Sequence, residues 1–250
     1  MTDPLLECRG LTKRFEAVTA VDGVDLAVRE EFTSLIGPNG AGKTTLFDLL
    51  AGARRPTAGR IEFRGTDVTD AGPDRRVHLG LARTYQVTNL FTELSAFENV
   101  RLAVQAVSDP GYANVFADAL DDPAMNERAN AVLDEVGFDE DRRTPAADLS
   151  QGYKRLLEIA VALAADPDLL LLDEPTAGLA VDKKERLFGL IEEVADERAV
   201  FLIEHKLEVV RELSNRLLVM HDGKLLATGP PETVLSDESV QEAYLRGVSA

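Results

Sequence analysis

One run of eight residues, Gly37-Pro38-Asn39-Gly40-Ala41-Gly42-Lys43-Thr44, limits what this chain can be more than any other stretch. It follows a short β-rich apolar segment, Phe32 to Ile36. It leads into Lys43 to Ala51, where Leu46, Leu49 and Leu50 recur at helical spacing. Strand, glycine-rich loop and helix in that order make a phosphate cradle: glycines let backbone N–H groups turn inward around an anion, and the lysine reaches its outer oxygens. The bare pattern arises by chance in roughly one chain per hundred of this length, and its setting removes most of those. Thr44, at the helix start, then has its hydroxyl placed for magnesium.

A phosphate site that turns over needs an acidic partner, and Leu169-Leu170-Leu171-Leu172-Asp173-Glu174 ends a buried apolar strand in two carboxylates. Asp173 is expected to hold the metal through water and Glu174 to polarise the attacking water. Adjacent strand residues face opposite ways, so two separate tasks require a bend, for which Pro175 is placed.

Around these motifs, short strands with turns are expected from Leu5 to Val28, with further strands at 60–64 and 81–86. The stretch from about 92 to 165 has helical periodicity and reads as an insertion, with an irregular connection near 105–125. Strand patterns return at 169–172, 200–203 and 217–220, separated by helical runs at 183–194 and 207–213, which indicates a mostly parallel, helix-covered sheet. Asp222-Gly223 marks a hairpin. The expected fold is α/β, a nucleotide-binding core with an N-terminal antiparallel β region and a helical subdomain.

Composition sets the surroundings. With 27 basic and 44 acidic residues the net charge is −17, which disfavours nucleic acid as a main ligand, because a duplex-binding surface needs a basic stripe. Only seven of the basic residues are Lys, a balance expected of a protein working in concentrated salt, where the Debye length falls to about 3 Å and self-repulsion is screened. No apolar run approaches the roughly 20 residues of a membrane span, and the opening Met-Thr-Asp-Pro lacks a secretory pattern, so a cytoplasmic protein is expected. The single cysteine, Cys8, reads as a small core side chain.

Further segments, in order, resemble the ATP-binding subunits of ABC transporters. Arg83-Thr84-Tyr85-Gln86 is similar to the Q-loop and Leu149-Ser150-Gln151-Gly152-Tyr153 to the signature motif, with Gln151 and Tyr153 in place of the commoner Gly and Gln. His205 in Ile203-Glu204-His205 resembles the switch histidine, and Phe15 stands where the family stacks a ring on adenine. The resemblance covers roughly residues 5–247 as one ATP-binding domain, with 1–91 and 166–247 as core and 92–165 as the helical signature subdomain. It implies ATP and Mg2+ as cofactors. Nucleotide contacts are implied for Phe15, Gly37, Pro38, Asn39, Gly40, Ala41, Gly42, Lys43, Thr44, Thr45, Ser150 and Gly152. Metal contacts are implied for Thr44, Gln86 and Asp173, and catalytic roles for Glu174, His205 and Gln86.

The resemblance further implies head-to-tail pairing with a second ATP-binding subunit, identical or sister, so that each nucleotide lies between Lys43 of one and Ser150 of the other. Transmembrane permease subunits are the implied docking partners, with a substrate-binding protein acting indirectly, and the chain itself sits peripherally on the inner face of the membrane. Gly80 to Thr84, Glu98-Asn99-Val100, Ile203-Glu204-His205 and the ending Val240 to Leu245 resemble most the ATPases of branched-chain amino acid importers. Urea or amide importers and soluble ABC ATPases, such as iron-sulfur assembly factors, share the core motifs. The family usually has Asp where this chain has Ala180, which puts a cross-subunit hydrogen bond in doubt.

Overall fold

Two kinds of strand pattern produce two sheets. The computed structural model describes residues 3–84, 90–108 and 122–247, side chains at 182 and 244–247 excepted. In chain order it forms β1 (Leu6–Phe15), β2 (Val18–Val28), β3 (Phe32–Ile36), α1 (Lys43–Leu50), β4 (Ala58–Phe63), β5 (Thr66–Asp67), α2 (Pro73–His78) and β6 (Leu81–Arg83). There follow α3 (Ala96–Ser108), α4 (Pro123–Glu135), a single 3-10 turn at Ala146–Asp148 and α5 (Gln151–Leu163). The chain closes with β7 (Leu169–Asp173), α6 (Val181–Glu197), β8 (Ala199–Ile203), α7 (Leu207–Leu213), β9 (Arg216–His221), β10 (Lys224–Gly229), α8 (Pro231–Leu235) and α9 (Glu238–Gly247).

Strands β3, β7 and β8 are buried at every residue, which is why β7 and β8 read as near-continuous apolar runs, while β3 also buries Thr33 and Ser34. They lie in a six-stranded sheet of order β10-β9-β3-β8-β7-β6, parallel except for the β9–β10 hairpin. That hairpin turns on Asp222 and Gly223, both at positive φ, as a two-residue turn matched to strand twist requires. The half-buried strands form a separate antiparallel sheet, β2-β1-β4-β5. Helix α1 joins the two through one core, with Leu46, Phe47, Leu49 and Leu50 fully buried and the Phe47 and Phe201 rings 4.9 Å apart.

Three expectations about element limits change. Residues 5–28 form two long strands, not several short ones, because register shifts between Cys8 and Leu11 and around Lys13 interrupt the in–out alternation that a sequence reading depends on. The strand expected at 81–86 ends at Arg83, and α6 is longer than 183–194 at both ends. Of the irregular 105–125 stretch, Gln105 through Ser108 belong to α3 and Pro123 begins α4, while 109–121 lie outside the described residues.

The chain divides into two compact units. One comprises Met1–Arg83, Asp168–Glu174 and Val194–Ala250; the other, here the helical unit, comprises Thr84–Pro167 and Pro175–Glu193. No helix among the described residues is long and apolar enough to cross a membrane.

Candidate nucleotide site

The loop between β3 and α1 depends on two glycines for close approach. A Cβ on Gly37 would overlap the Met220 carbonyl, and one on Gly42 would overlap the Ala20 carbonyl, so no larger residue fits either place. The loop is also pinned from outside, since Gly223 N–H of the β9–β10 turn donates to the Ala41 carbonyl (3.1 Å). Lys43, the first residue of α1, is buried, and its Nζ donates to the carbonyls of Gly37 (2.7 Å) and Pro38 (3.1 Å). Burial holds its pKa below the usual lysine value, against the opposing pull of Glu174 and Asp173. Asn39, Gly40 and Thr44 are exposed and Thr45 is half-buried. An ammonium folded onto its own loop above the open first turn of a helix is a receptor for a polyanion.

The two carboxylates at the end of β7 are held quite differently. Asp173 has a fully buried side chain whose Oδ2 accepts from Arg83 Nη2 at 3.0 Å, and whose Oδ1 is buried without a hydrogen-bond partner. Burial raises its pKa, with Arg83 acting against that rise. Glu174 sits at φ 47°, in the left-handed region, so the bend expected from Pro175 is made by Glu174 itself. That conformation costs about 1 kcal/mol or more for a residue with a Cβ. The Glu174 N–H donates to the Ile203 carbonyl (3.1 Å), keeping the turn on the sheet while its side chain leaves the direction of the strand.

That turn brings Glu174 Oε1 within 2.7 Å of His205 Nε2; with the proton on Nε2, the imidazole donates to the carboxylate. His205 follows β8 and is exposed, and its own backbone is fixed by the buried Glu204, whose Oε2 accepts from His205 N–H at 2.6 Å. Lys43, Asp173, Glu174 and His205 thus belong to the same unit, at or next to the carboxyl ends of β3, β7 and β8, where open α/β sheets bind ligands. Phe15, also in this unit, ends β1 as a residue 37% exposed, its ring flanked by Lys13 Nζ at 5.3 Å and Arg54 Cζ at 5.4 Å from its centroid. An exposed ring among cations suits a planar base attached to phosphates.

Ser150 and Gly152 lie in the helical unit, where Ser150 caps α5 and lines a recess with Tyr153, Lys183 and Arg186. Tyr153, unusual for a signature motif, packs on Phe138 (ring centroids 5.4 Å apart) and donates its hydroxyl to Asp139 at 2.5 Å. Ala180 supplies only its carbonyl to the start of α6, accepting from Lys183 and Lys184 N–H. Gln86 lies outside the described residues.

Sequence reading missed Arg83 and Glu204 as more than parts of motifs, and missed Asp48 altogether. A signal was available for the first: an arginine in an apolar strand that packs beside an acid-ended strand needs a carboxylate partner. The fit to magnesium is sound. The Thr44 hydroxyl and the unpartnered Asp173 Oδ1 are hard oxygen donors, and no group of three or more His, Cys, Asp or Glu that could hold a metal is present among the described residues. A metal here would complete its shell from phosphate and water, as magnesium does.

A family model described as ABC transporter matches residues 21–177. The chain belongs to the ABC transporter family. A second model, branched-chain amino acid ATP-binding cassette transporter, matches residues 224–245 of this ABC ATPase. It is 37% identical over 255 residues to the high-affinity branched-chain amino acid transport ATP-binding protein LivG of Salmonella typhimurium, covering 98% of this chain and 99% of LivG. The corresponding protein BraF of Pseudomonas aeruginosa matches at the same identity and coverage. Among solved structures, the ADP conformation of MJ1267, an ATP-binding cassette of an ABC transporter, superposes with a TM-score of 0.84 at 30% identity, covering 98% of this chain and 99% of that one.

Proposed function

We propose that this ATPase powers an importer of branched-chain amino acids, hydrolysing ATP in a sandwich closed with a second ATP-binding subunit. It docks on transmembrane permease subunits at the inner face of the membrane, and a substrate-binding protein delivers the cargo. The names carried by LivG and BraF support the cargo, and the match at 224–245 supports the same lineage.

The observation that carries the chemistry is the 2.7 Å contact of His205 with Glu174, in the same unit as the Lys43 loop. Lys43 exchanges the Gly37 and Pro38 carbonyls for phosphate oxygens, which repays the burial of its charge. Thr44, Asp173 and Gln86 would hold magnesium, which supplies neutralisation of the phosphate charge. Glu174 accepts the proton of the attacking water, and His205 orients that carboxylate from the neighbouring strand. Ser150 and Gly152 of one subunit complete the pocket of the other, and Phe15 stacks on the base.

Glu174→Gln should lower kcat by about 10²–10⁴, keep ATP binding, and accumulate as an ATP-dependent dimer in gel filtration. Hydrolysis at the parent rate would remove Glu174 as the base. Leucine uptake into vesicles holding the ATPase with its co-purified permeases tests the cargo; uptake of urea instead would reassign it.

A further inference from the structure

Arg83 draws together parts of the molecule that the proposed chemistry uses separately. Its side chain is only 4% exposed, and its guanidinium lies 5.8 Å from the centroid of the Phe47 ring. Nη2 reaches Asp173 Oδ2 (3.0 Å) at the end of β7, while Nη1 reaches Asp48 Oδ1 (2.7 Å) on α1. The strand register explains the reach. Arg83 of β6 pairs with Leu171 of β7, and residues 171 and 173 share a face, so the arginine lies one strand across and one pleat back from the carboxylate.

We propose that Arg83 is a positioning residue for the magnesium carboxylate: its planar fork clamps one oxygen of Asp173 against the helix that carries Lys43 and Thr44, and so fixes the other oxygen, Oδ1, for the metal's shell. The proposal rests on the nucleotide-site reading above. Two features argue for a task beyond stability. Buried ion pairs contribute little to stability compared with apolar packing of similar volume. And the pairing is asymmetric, satisfying Oδ2 and leaving Oδ1 buried and unpartnered, which is costly unless that oxygen has a use. Lysine could not replace it, because a single ammonium cannot hold Asp48 and Asp173 in a fixed plane.

The test uses a fluorescent ATP analogue, with binding measured first in EDTA and then across a magnesium titration, for the unmodified protein, Arg83→Lys and Asp48→Asn. In Arg83→Lys the magnesium midpoint should rise about tenfold, as expected when the partner that orients a metal-binding side chain is lost, with EDTA affinity unchanged. Asp48→Asn, which leaves the Asp173 contact in place, should move the midpoint less and in the same direction. Unchanged midpoints in both variants would overturn the proposal, as would an equal loss of affinity with and without magnesium, the mark of a merely structural residue. Failure of the unmodified protein to bind the analogue would instead overturn the nucleotide-site reading on which it rests.

Discussion

In the unit that carries Lys43, the ion pair of Arg83 with Asp173 is almost sealed from solvent, at 4% and 0% side-chain exposure; in the helical unit, Arg186 pairs with Asp139 while the two remain 39% and 63% exposed. Arg142 and Asp134 of the helical unit form another pair whose carboxylate is mostly exposed. Exposed pairs are screened and contribute about 0–1 kcal/mol, so the helical unit gains little stability from them. Buried charges are different: each is desolvated, and removing one partner leaves the other stranded. The Arg83–Asp173 pair is therefore committed to fixed geometry, whereas pairs at the rim of the same unit, such as Arg60 with Asp67, are exposed. In the helical unit Arg155 and Glu158 are also paired out of solvent, at 15% and 7% exposure, while the pairs of Asp139 and Asp134 stay at a surface, as suits a region proposed to meet a second subunit.

The largest stability effect expected from this difference is at Arg76. It is buried, its guanidinium donates to the carbonyls of Leu49, Leu50, Val68 and Ala71, and burial brings its pKa down to about 10. Two of those carbonyls end α1, so Arg76→Met should cost roughly 3 kcal/mol or more by leaving buried acceptors unpaired, read as a lower urea midpoint. A neutral outcome would mean that buried charges in this unit do not carry its structure.

Lys43 sharpens the comparison, because its charge is buried for function and not for the fold. Lys43→Met should abolish ATP binding in calorimetry, yet the nucleotide-free protein should melt no lower than the parent. The sign follows from the depressed pKa: a lysine whose folded pKa lies below its unfolded value adds stability only above the unfolded pKa, and at neutral pH its charged form opposes folding. A markedly lower Tm would show that the two loop carbonyls it holds matter more than its desolvation.

Cys8 gives a pH test of the same unit. Burial pushes its thiol up to about 12 from an ordinary value of 9.0. A raised pKa contributes stability below the unfolded value that is lost as pH rises towards the folded one, so Tm should fall between pH 9 and 12, and less so in Cys8→Ala. Equal pH profiles for the two proteins would place the loss elsewhere.

The smallest effect is expected in the helical unit, and with opposite sign. Ala180 precedes α6 without a side-chain acceptor, so Ala180→Asp should add about 1 kcal/mol as an N-cap. If dimer formation with ATP also strengthens in the Glu174→Gln background, the missing carboxylate matters between subunits as well as within the helix.

Local chemistry made much of this legible. Gly37 through Thr44 and the four leucines before Asp173 are contiguous, and their meaning lies in spacing along a chain. The Asp222-Gly223 hairpin was equally plain, because a two-residue turn depends on its own backbone. The lengths of β1 and β2 were not, since bulges shift register through pairing with distant strands. The bend after Asp173 was legible too, but not that Glu174, and not Pro175, makes it.

The sequence by itself determined the phosphate loop, the acidic strand end and the order of elements, because each is encoded in a short window through backbone preference and hydrophobic period. Only the tertiary structure decided that Arg83 would grip Asp173 and Asp48, and that His205 would meet Glu174. Residues 83 and 173 or 174 and 205 are neighbours only after parallel strands align, and a parallel sheet joins its strands through long crossovers that leave no mark in local sequence.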